Sequence, residues 1–376
     1  MARDPGWRAD PSGLNQERYF NVSGVATRLV RNNCTESYDG PSPPQSDAPV
    51  EQSEMRDAAA GSDTSSAQGR LASALARFRH LLFRQEWFNT VLMPNLPRSV
   101  RWNLRKLYFA VLDLVESAPS QSDDLIPPKS KIFSGTVDFK EGAEESADRL
   151  IRMGVLRRDS RVLDLGCGIG RLAIPLTGYL EGGSYDGLDI VPSAINWCNE
   201  HIAARYPNFH FKLADVFNKE YNPGGHVPAS DYAFPYPDDT FDLVVLISVF
   251  THMLPEDTQR YVAEISRVLR PGGHCWAQFY LLNAESIEMM DAGKSFIRFT
   301  QDRGVYWTVN GKVPELSIGY EEGYIRELFE RHGLSLADEV YYGGWCGRPV
   351  LWGDTPNLGD QDLLLATQIG RSVACD

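Results

Sequence analysis

The chain of 376 residues has no apolar run long enough to cross a bilayer. Its longest, Leu243-Val-Val-Leu-Ile-Ser-Val-Phe250, falls well short of the roughly 18 to 20 residues that a spanning helix needs, and reads as a buried strand. Clustered cysteines are also missing. Cys34, Cys167, Cys198, Cys275, Cys346 and Cys375 are scattered without a C-x-x-C pair, and only Cys275 stands beside a histidine, His274. A disulfide framework or a structural zinc site needs tighter spacing, so no bound metal is expected. Basic residues are in deficit: 37 Lys plus Arg against 50 Asp plus Glu give a net charge of −13. Nucleic-acid binding rests on clustered cations that displace counterions, so no nucleic-acid partner is expected. The first residues, Met1-Ala-Arg-Asp-Pro-Gly-Trp7, lack the apolar region of a secretory signal, which points to a cytoplasmic protein. What is present, 43 % hydrophobic and 11 % aromatic residues, suffices for a substantial core.

Three textures follow one another along the chain. Residues 1–70 are rich in Ser, Asp, Pro, Gly and Ala, show no sustained period, and predict a disordered tail. Residues 71–120 carry Leu71, Leu75, Phe78 and Leu82, then Val100, Leu104, Leu107, Val111 and Leu114, at helical spacing. With Arg77, Arg79, Arg84, Arg98, Arg101, Arg105 and Lys106 against three acidic residues, this helical cap is the basic island of an acidic protein. It suits either peripheral contact with a membrane or lipid through residues 71–115, or simple packing on the main domain. Residues 121–376 form the third unit. Five strands are expected there at 161–165, 183–190, 209–214, 241–248 and 274–281, with helices at 141–153, 171–180, 192–205, 256–269 and 321–332. Two later strands are expected at 335–342 and 361–368. Strand and helix in alternation predict an α/β fold, a parallel sheet covered on both faces.

The strongest motif is Val162-Leu-Asp-Leu-Gly-Cys-Gly-Ile-Gly-Arg171. A strand runs into three alternating glycines, Gly166, Gly168 and Gly170, where the backbone must turn tightly and admit a ligand. The spacing is G-x-G-x-G rather than the G-x-G-x-x-G of a dinucleotide site, and Asp164 would repel a diphosphate. Asp189 ends the next strand, where a carboxylate can accept the two hydroxyls of a ribose. Ala214-Asp-Val216, Asp238-Asp-Thr-Phe-Asp242 and Leu269-Arg-Pro-Gly-Gly273 follow in order.

With these five motifs the chain resembles the class I S-adenosylmethionine-dependent methyltransferases over roughly residues 125–370. The resemblance implies a Rossmann-like, seven-stranded sheet with helices on both faces and a final antiparallel strand at 361–368. It implies S-adenosyl-L-methionine as cofactor. Gly166, Gly168 and Gly170 would line its methionine and ribose, Asp189 and Ile190 the ribose edge, and Asp215 and Val216 the adenine. Asp164 would organise the loop near the methionine amino group, Arg171 would meet the methionine carboxylate, and Ser248 would complete the donor site. The insert at 282–318, with Phe296, Phe299, Tyr306 and Trp307, would build either an acceptor pocket or a small satellite core.

Methyl transfer needs the acceptor in line behind the methyl group, so positioning carries much of the rate. A hydroxyl acceptor also benefits from a base. His252, just past the fourth parallel strand, has a suitable ordinary pKa near 6.5 and is the candidate; Tyr280 is a weaker one. The expected partner is a small-molecule acceptor, a hydroxyl of a lipid, sugar or secondary metabolite. Three alternatives stay open: N- or C-methyl transfer without a base, a non-catalytic donor-binding module, and a related donor reaction such as aminopropyl transfer. The sequence says nothing of oligomeric state.

Overall fold

The computed structural model describes residues 139–350 and 361–370, together with 6–9, 17–20, 26–32, 35–38, 125–128, 131–132 and positions 100, 103 and 107. Contacts divide the chain into two units, Met1–Glu36 with Ser134–Asp376, and Ser37–Phe133. Within the stretch expected to be a tail, four strands form a sheet in the order β1-β2-β3-β4: β1 (Gly6–Ala9), β2 (Glu17–Phe20), β3 (Ala26–Asn32) and β4 (Thr35–Tyr38). Disorder was the expectation from composition. Short runs such as Ala26–Asn32, with the β-branched Thr27 and Val30, carry a strand preference that the surrounding Ser, Pro and Asp mask. The rest of 1–70 lies outside the described residues, as do the basic helices of 71–120 apart from Val100, Asn103 and Leu107, which are helical and exposed.

The main sheet has seven strands. β5 (Arg161–Leu165), β6 (Ser184–Asp189), β7 (Phe209–Leu213), β8 (Phe241–Leu246) and β9 (Leu269–Phe279) are mutually parallel where they pair. A two-residue strand, β10 (Leu281–Leu282), follows β9 directly. The second sheet is completed by β11 (Gln301–Asp302), β12 (Tyr306–Thr308) and β13 (Ile318–Glu321), in the order β10-β13-β12-β11. The last two strands return to the main sheet: β14 (Leu334–Leu336) and β15 (Asp362–Gln368), giving the order β14-β15-β9-β8-β5-β6-β7. β15 lies antiparallel between β9 and β14, with Asp362 opposite Phe279 and Thr367 opposite His274.

The helices follow from apolar spacing. α1 (Phe139–Arg152) buries Ala143, Ala147 and Leu150, four and three residues apart. α2 (Ala173–Leu176) is a single turn where residues 171–180 were expected to be helical; Pro175 lies inside it. α3 (Pro192–Cys198) passes into a π-turn over Asn199–Ala203. α4 (Pro255–Val268) starts at Pro255 with Glu256 and Asp257 in its first turn, where acidic groups complement the helix dipole. α5 (Ala284–Asp291) is held by a capping box between Asn283 and Ser286. α6 (Glu322–Arg331) completes the set.

Leu163, Leu165, Val244, Leu246 and Ala277 project from one face of the sheet into a core shared with Val262 and Ile265 of α4 and Ile325, Leu328 and Phe329 of α6. Residues of the opposite parity, Val162, Val245, Trp276 and Leu363, are also fully buried. The sheet is covered on both faces, as parallel strands require. No helix among the described residues is long and apolar enough to cross a membrane.

Candidate donor and acceptor site

β5 delivers the chain into Gly166, Gly168 and Gly170 with φ of 74°, 54° and 82°. This left-handed conformation strains any side-chain-bearing residue, and a Cβ on Gly170 would come within 2.6 Å of Ile202 Cδ1. Two bonds strap the loop to β6. Gly166 N donates to Leu188 O at 2.7 Å, and Gly168 N donates to Asp189 Oδ2 at 2.8 Å. The other carboxylate oxygen, Asp189 Oδ1, accepts from Val191 N at 2.8 Å. Burial pushes the Asp189 pKa up, while these backbone donors oppose the rise. Each oxygen retains lone-pair capacity for one more donor, which is what a ribose diol requires.

Ala214 N donates to Asp189 O at 2.8 Å, so the chain after β7 runs beside that carboxylate. Asp215 is exposed; its Oδ1 accepts from His226 N at 3.1 Å, and its Oδ2 lies 2.9 Å from His226 Nδ1. Val216 is buried in the core and bridges Val227, and Ile190 is half-buried against the same core. A glycine cradle, a diol acceptor and an exposed carboxylate for a purine amine therefore share one edge of the sheet. These groups fit the adenosyl part of S-adenosylmethionine.

Two expected donor contacts look different in the fold. Asp164 is 2 % exposed, and its carboxyl accepts a hydrogen bond from the Tyr185 hydroxyl. Strand alternation turns it to the face opposite Leu163 and Leu165, beneath the loop. Burial raises its pKa to about 7. The Arg171 guanidinium lies over the Phe139 ring of α1, 5.2 Å from its centroid, and burial lowers its pKa.

Beyond the end of β8 come Ser248, expected among the donor contacts, and His252, the candidate base. Ser248 has φ of 58°, a strained value for a residue with a side chain. Its Oγ accepts from Gln361 Nε2 at 2.8 Å. One 3-10 turn later, in Phe250–His252, His252 Nδ1 lies 2.9 Å from the carbonyl oxygen of Glu315. A carbonyl only accepts, so Nδ1 carries the hydrogen and Nε2 the lone pair. Tyr221 packs edge-on against the imidazole at 5.4 Å, and Lys219 Nζ pairs with Glu315 Oε1 at 3.5 Å. Burial lowers the His252 pKa, favouring the neutral ring.

The aromatic insert separates into two parts. Tyr280, Phe299 and Trp345 contact one another at centroid distances of 5.5 to 5.7 Å and form a satellite cluster, with Trp307 against it. Tyr306 packs on the main core, and Phe296 is 64 % exposed. Sequence inspection passed over Tyr185, Tyr221, His226, Glu315 and Gln361. None sits in a spacing motif; each reaches the site through contacts that only the folded register creates.

Residues 162–273 match a family model described as a methyltransferase domain. The phthiotriol/phenolphthiotriol dimycocerosates methyltransferase of Mycobacterium leprae (strain TN) is 34 % identical over 114 residues, 30 % of this chain and 35 % of that protein. Its namesake in Mycobacterium tuberculosis (strain ATCC 25618 / H37Rv) is 33 % identical over 173 residues, 46 % of this chain and 55 % of that protein. The chain thus spans about a third to a half of the length of these curated relatives. The crystal structure of Burkholderia thailandensis 1,6-didemethyltoxoflavin-N1-methyltransferase with bound 1,6-didemethyltoxoflavin and S-adenosylhomocysteine is 19 % identical, covering 61 % of this chain and 80 % of that one, with a TM-score of 0.39. Over residues 162–273, which include the glycine loop, the chain is thus similar to a methyltransferase domain.

Proposed function

We propose that the protein moves a methyl group from S-adenosylmethionine to a hydroxyl of a lipid-, sugar- or secondary-metabolite-type acceptor, with His252 as general base. The observation that carries this reading is the His252 tautomer: Glu315 O holds Nδ1–H, which leaves Nε2 basic on a ring that burial keeps neutral. The names of the mycobacterial relatives support the lipid member of that set.

S-adenosylmethionine supplies an electrophilic methyl group on a sulfonium sulfur. Gly166, Gly168 and Gly170 give its backbone cradle, Asp189 takes the ribose hydroxyls, and Asp215 with Val216 receives the adenine edge. Bound there, the donor would supply its methyl group as an electrophile, and His252 Nε2 would take the proton of the acceptor hydroxyl. The products are a methyl ether, S-adenosylhomocysteine and, transiently, the imidazolium of His252, with Glu315 O still accepting from Nδ1.

The test begins with untargeted mass spectrometry of metabolites from cells with and without the gene, searching for pairs that differ by one added CH2. On the acceptor so found, His252→Ala should lower the turnover number on the order of 10²- to 10⁴-fold with little change in donor affinity. Unchanged turnover would remove the base assignment. The transfer rate should also stay flat as pH falls to about 6.5 and decline only below it, because the depressed pKa keeps Nε2 unprotonated. Donor binding without S-adenosylhomocysteine release, with any metabolite fraction, would leave a binding module instead of an enzyme.

A further inference from the structure

Gln361 sits at the start of β15, beside the ends of β8 and β9, because Asp362 pairs with Phe279 in the sheet register. Its Nε2 donates to Ser248 Oγ at 2.8 Å and approaches Tyr280 Oη at 3.4 Å. Its Oε1 is buried and has no hydrogen-bond partner among the described residues. A buried acceptor left unmade is unfavourable, and native proteins keep few of them. The neighbouring Ser248 is held in the left-handed region, a second unfavourable feature at the same spot. Both lie beside the aromatic cluster of Tyr280, Phe299 and Trp345.

We propose that Gln361 is a specificity residue of the acceptor subsite: its Oε1 takes the hydrogen of an acceptor hydroxyl other than the one being methylated. This rests on the function proposed above and deepens it, because the acceptor then carries at least two hydroxyls. An amide oxygen is too weak a base to activate a nucleophile, so its contact holds the acceptor, while His252 serves the reacting oxygen. Ser248 Oγ already accepts from Gln361, which leaves its own hydrogen to donate. The pair thus offers one acceptor and one donor, the complement of an alcohol. The buried rings of Tyr280, Phe299 and Trp345 pack beside this pair and give the spot apolar surroundings.

The full-length protein, saturated with S-adenosylhomocysteine, is titrated with 4-propylphenol, 4-propylanisole and 4-propyltoluene. These probes share a shape; the first can donate a hydrogen bond, the second can only accept one, and the third does neither. The phenol should bind at least tenfold more tightly than the other two. Gln361→Leu should abolish that preference, and Gln361→Glu, which keeps an oxygen at the position, should retain it. Affinity for S-adenosylhomocysteine should be the same in all three proteins. Equal affinity of the native protein for phenol and toluene analogues, or tightest binding of the ether, overturns the proposal even where a variant fails to fold. Persistence of the preference in Gln361→Leu overturns it as well. Failure of the native protein to bind S-adenosylhomocysteine would instead sink the donor-site reading, so the two failures are distinguishable.

Discussion

Asp164 is the residue where burial and charge are most at odds. Its pKa rises from 3.8 to about 7, first through desolvation and also through the nearby Asp189 charge, against the Tyr185 hydrogen bond. The native state therefore holds a proton that the unfolded chain releases near pH 4. Stability from this group is present below that pH and is lost as pH rises through about 7. Asp164→Asn should remove this slope, because the amide oxygen can still accept from Tyr185 while carrying no charge. Urea unfolding at a series of pH values checks it: the native protein should lose stability between about pH 4 and 7 relative to the variant. A shift of this size corresponds to up to about 4 kcal/mol at the upper end. Parallel curves for the two proteins would show that Asp164 is ionised throughout. The glycine motif marks Asp164 in the sequence, but its neutral character depends on Tyr185, one strand away, and on cover from the whole sheet.

At the scale of elements, β15 joins the two sheets through one side chain. Asp362 is fully buried; Oδ1 accepts from Gly343 N at 2.8 Å, and Oδ2 accepts from Leu281 N and Trp345 Nε1, both at 2.7 Å. It ties β10, the turn at residue 343 and the aromatic cluster to the antiparallel strand. Asp362→Ala would orphan three buried N–H groups and should cost about 3 to 5 kcal/mol, read from the urea midpoint together with loss of the near-ultraviolet signal of Trp345. A loss below about 1 kcal/mol would mean that water or backbone movement replaces these bonds. β5 and β8 were legible in the sequence as compact apolar runs such as Phe241-Asp-Leu-Val-Val-Leu246, β7 by its alternation Phe209-His-Phe-Lys-Leu213, and β6 and β9 by their place between helical segments. The second sheet was not legible: β10 and β11 have two residues each and β12 has three, too short for any period to register. The strand expected over 335–342 shrinks to Leu334–Leu336, and beyond it only an isolated bridge, Tyr341 to Leu363, returns to β15. The residues proposed for the donor stand out in the sequence because they adjoin strand ends. Gln361 could not, because it meets Ser248 across 113 residues of sequence.

For the whole molecule, the residues proposed for the donor lie at or just beyond the ends of β5, β6 and β7, and those proposed for the acceptor lie near the ends of β8, β9 and β15. A ligand that engages the glycine loop, Asp189 and Asp215 binds only when the sheet is assembled, so it must stabilise the fold as a unit. At a hundredfold excess over its dissociation constant, such a ligand adds about 2.7 kcal/mol. For a domain of this size, each kcal/mol raises the melting temperature by about 2 to 4 °C. S-adenosylmethionine and S-adenosylhomocysteine should therefore each raise the melting temperature of the full chain by about 5 to 11 °C. Reduced nicotinamide adenine dinucleotide, which shares the adenosine but adds a diphosphate, should raise it by under about 1 °C, because the G-x-G-x-G spacing leaves the loop without the helix N-terminus that cradles a diphosphate. Asp189→Ala should cut the sulfonium-ligand shift by half or more by removing the diol acceptor and the strap to Gly168. Equal shifts from the dinucleotide and S-adenosylhomocysteine would mean that the loop recognises adenosine alone, and that its glycine spacing does not select the donor.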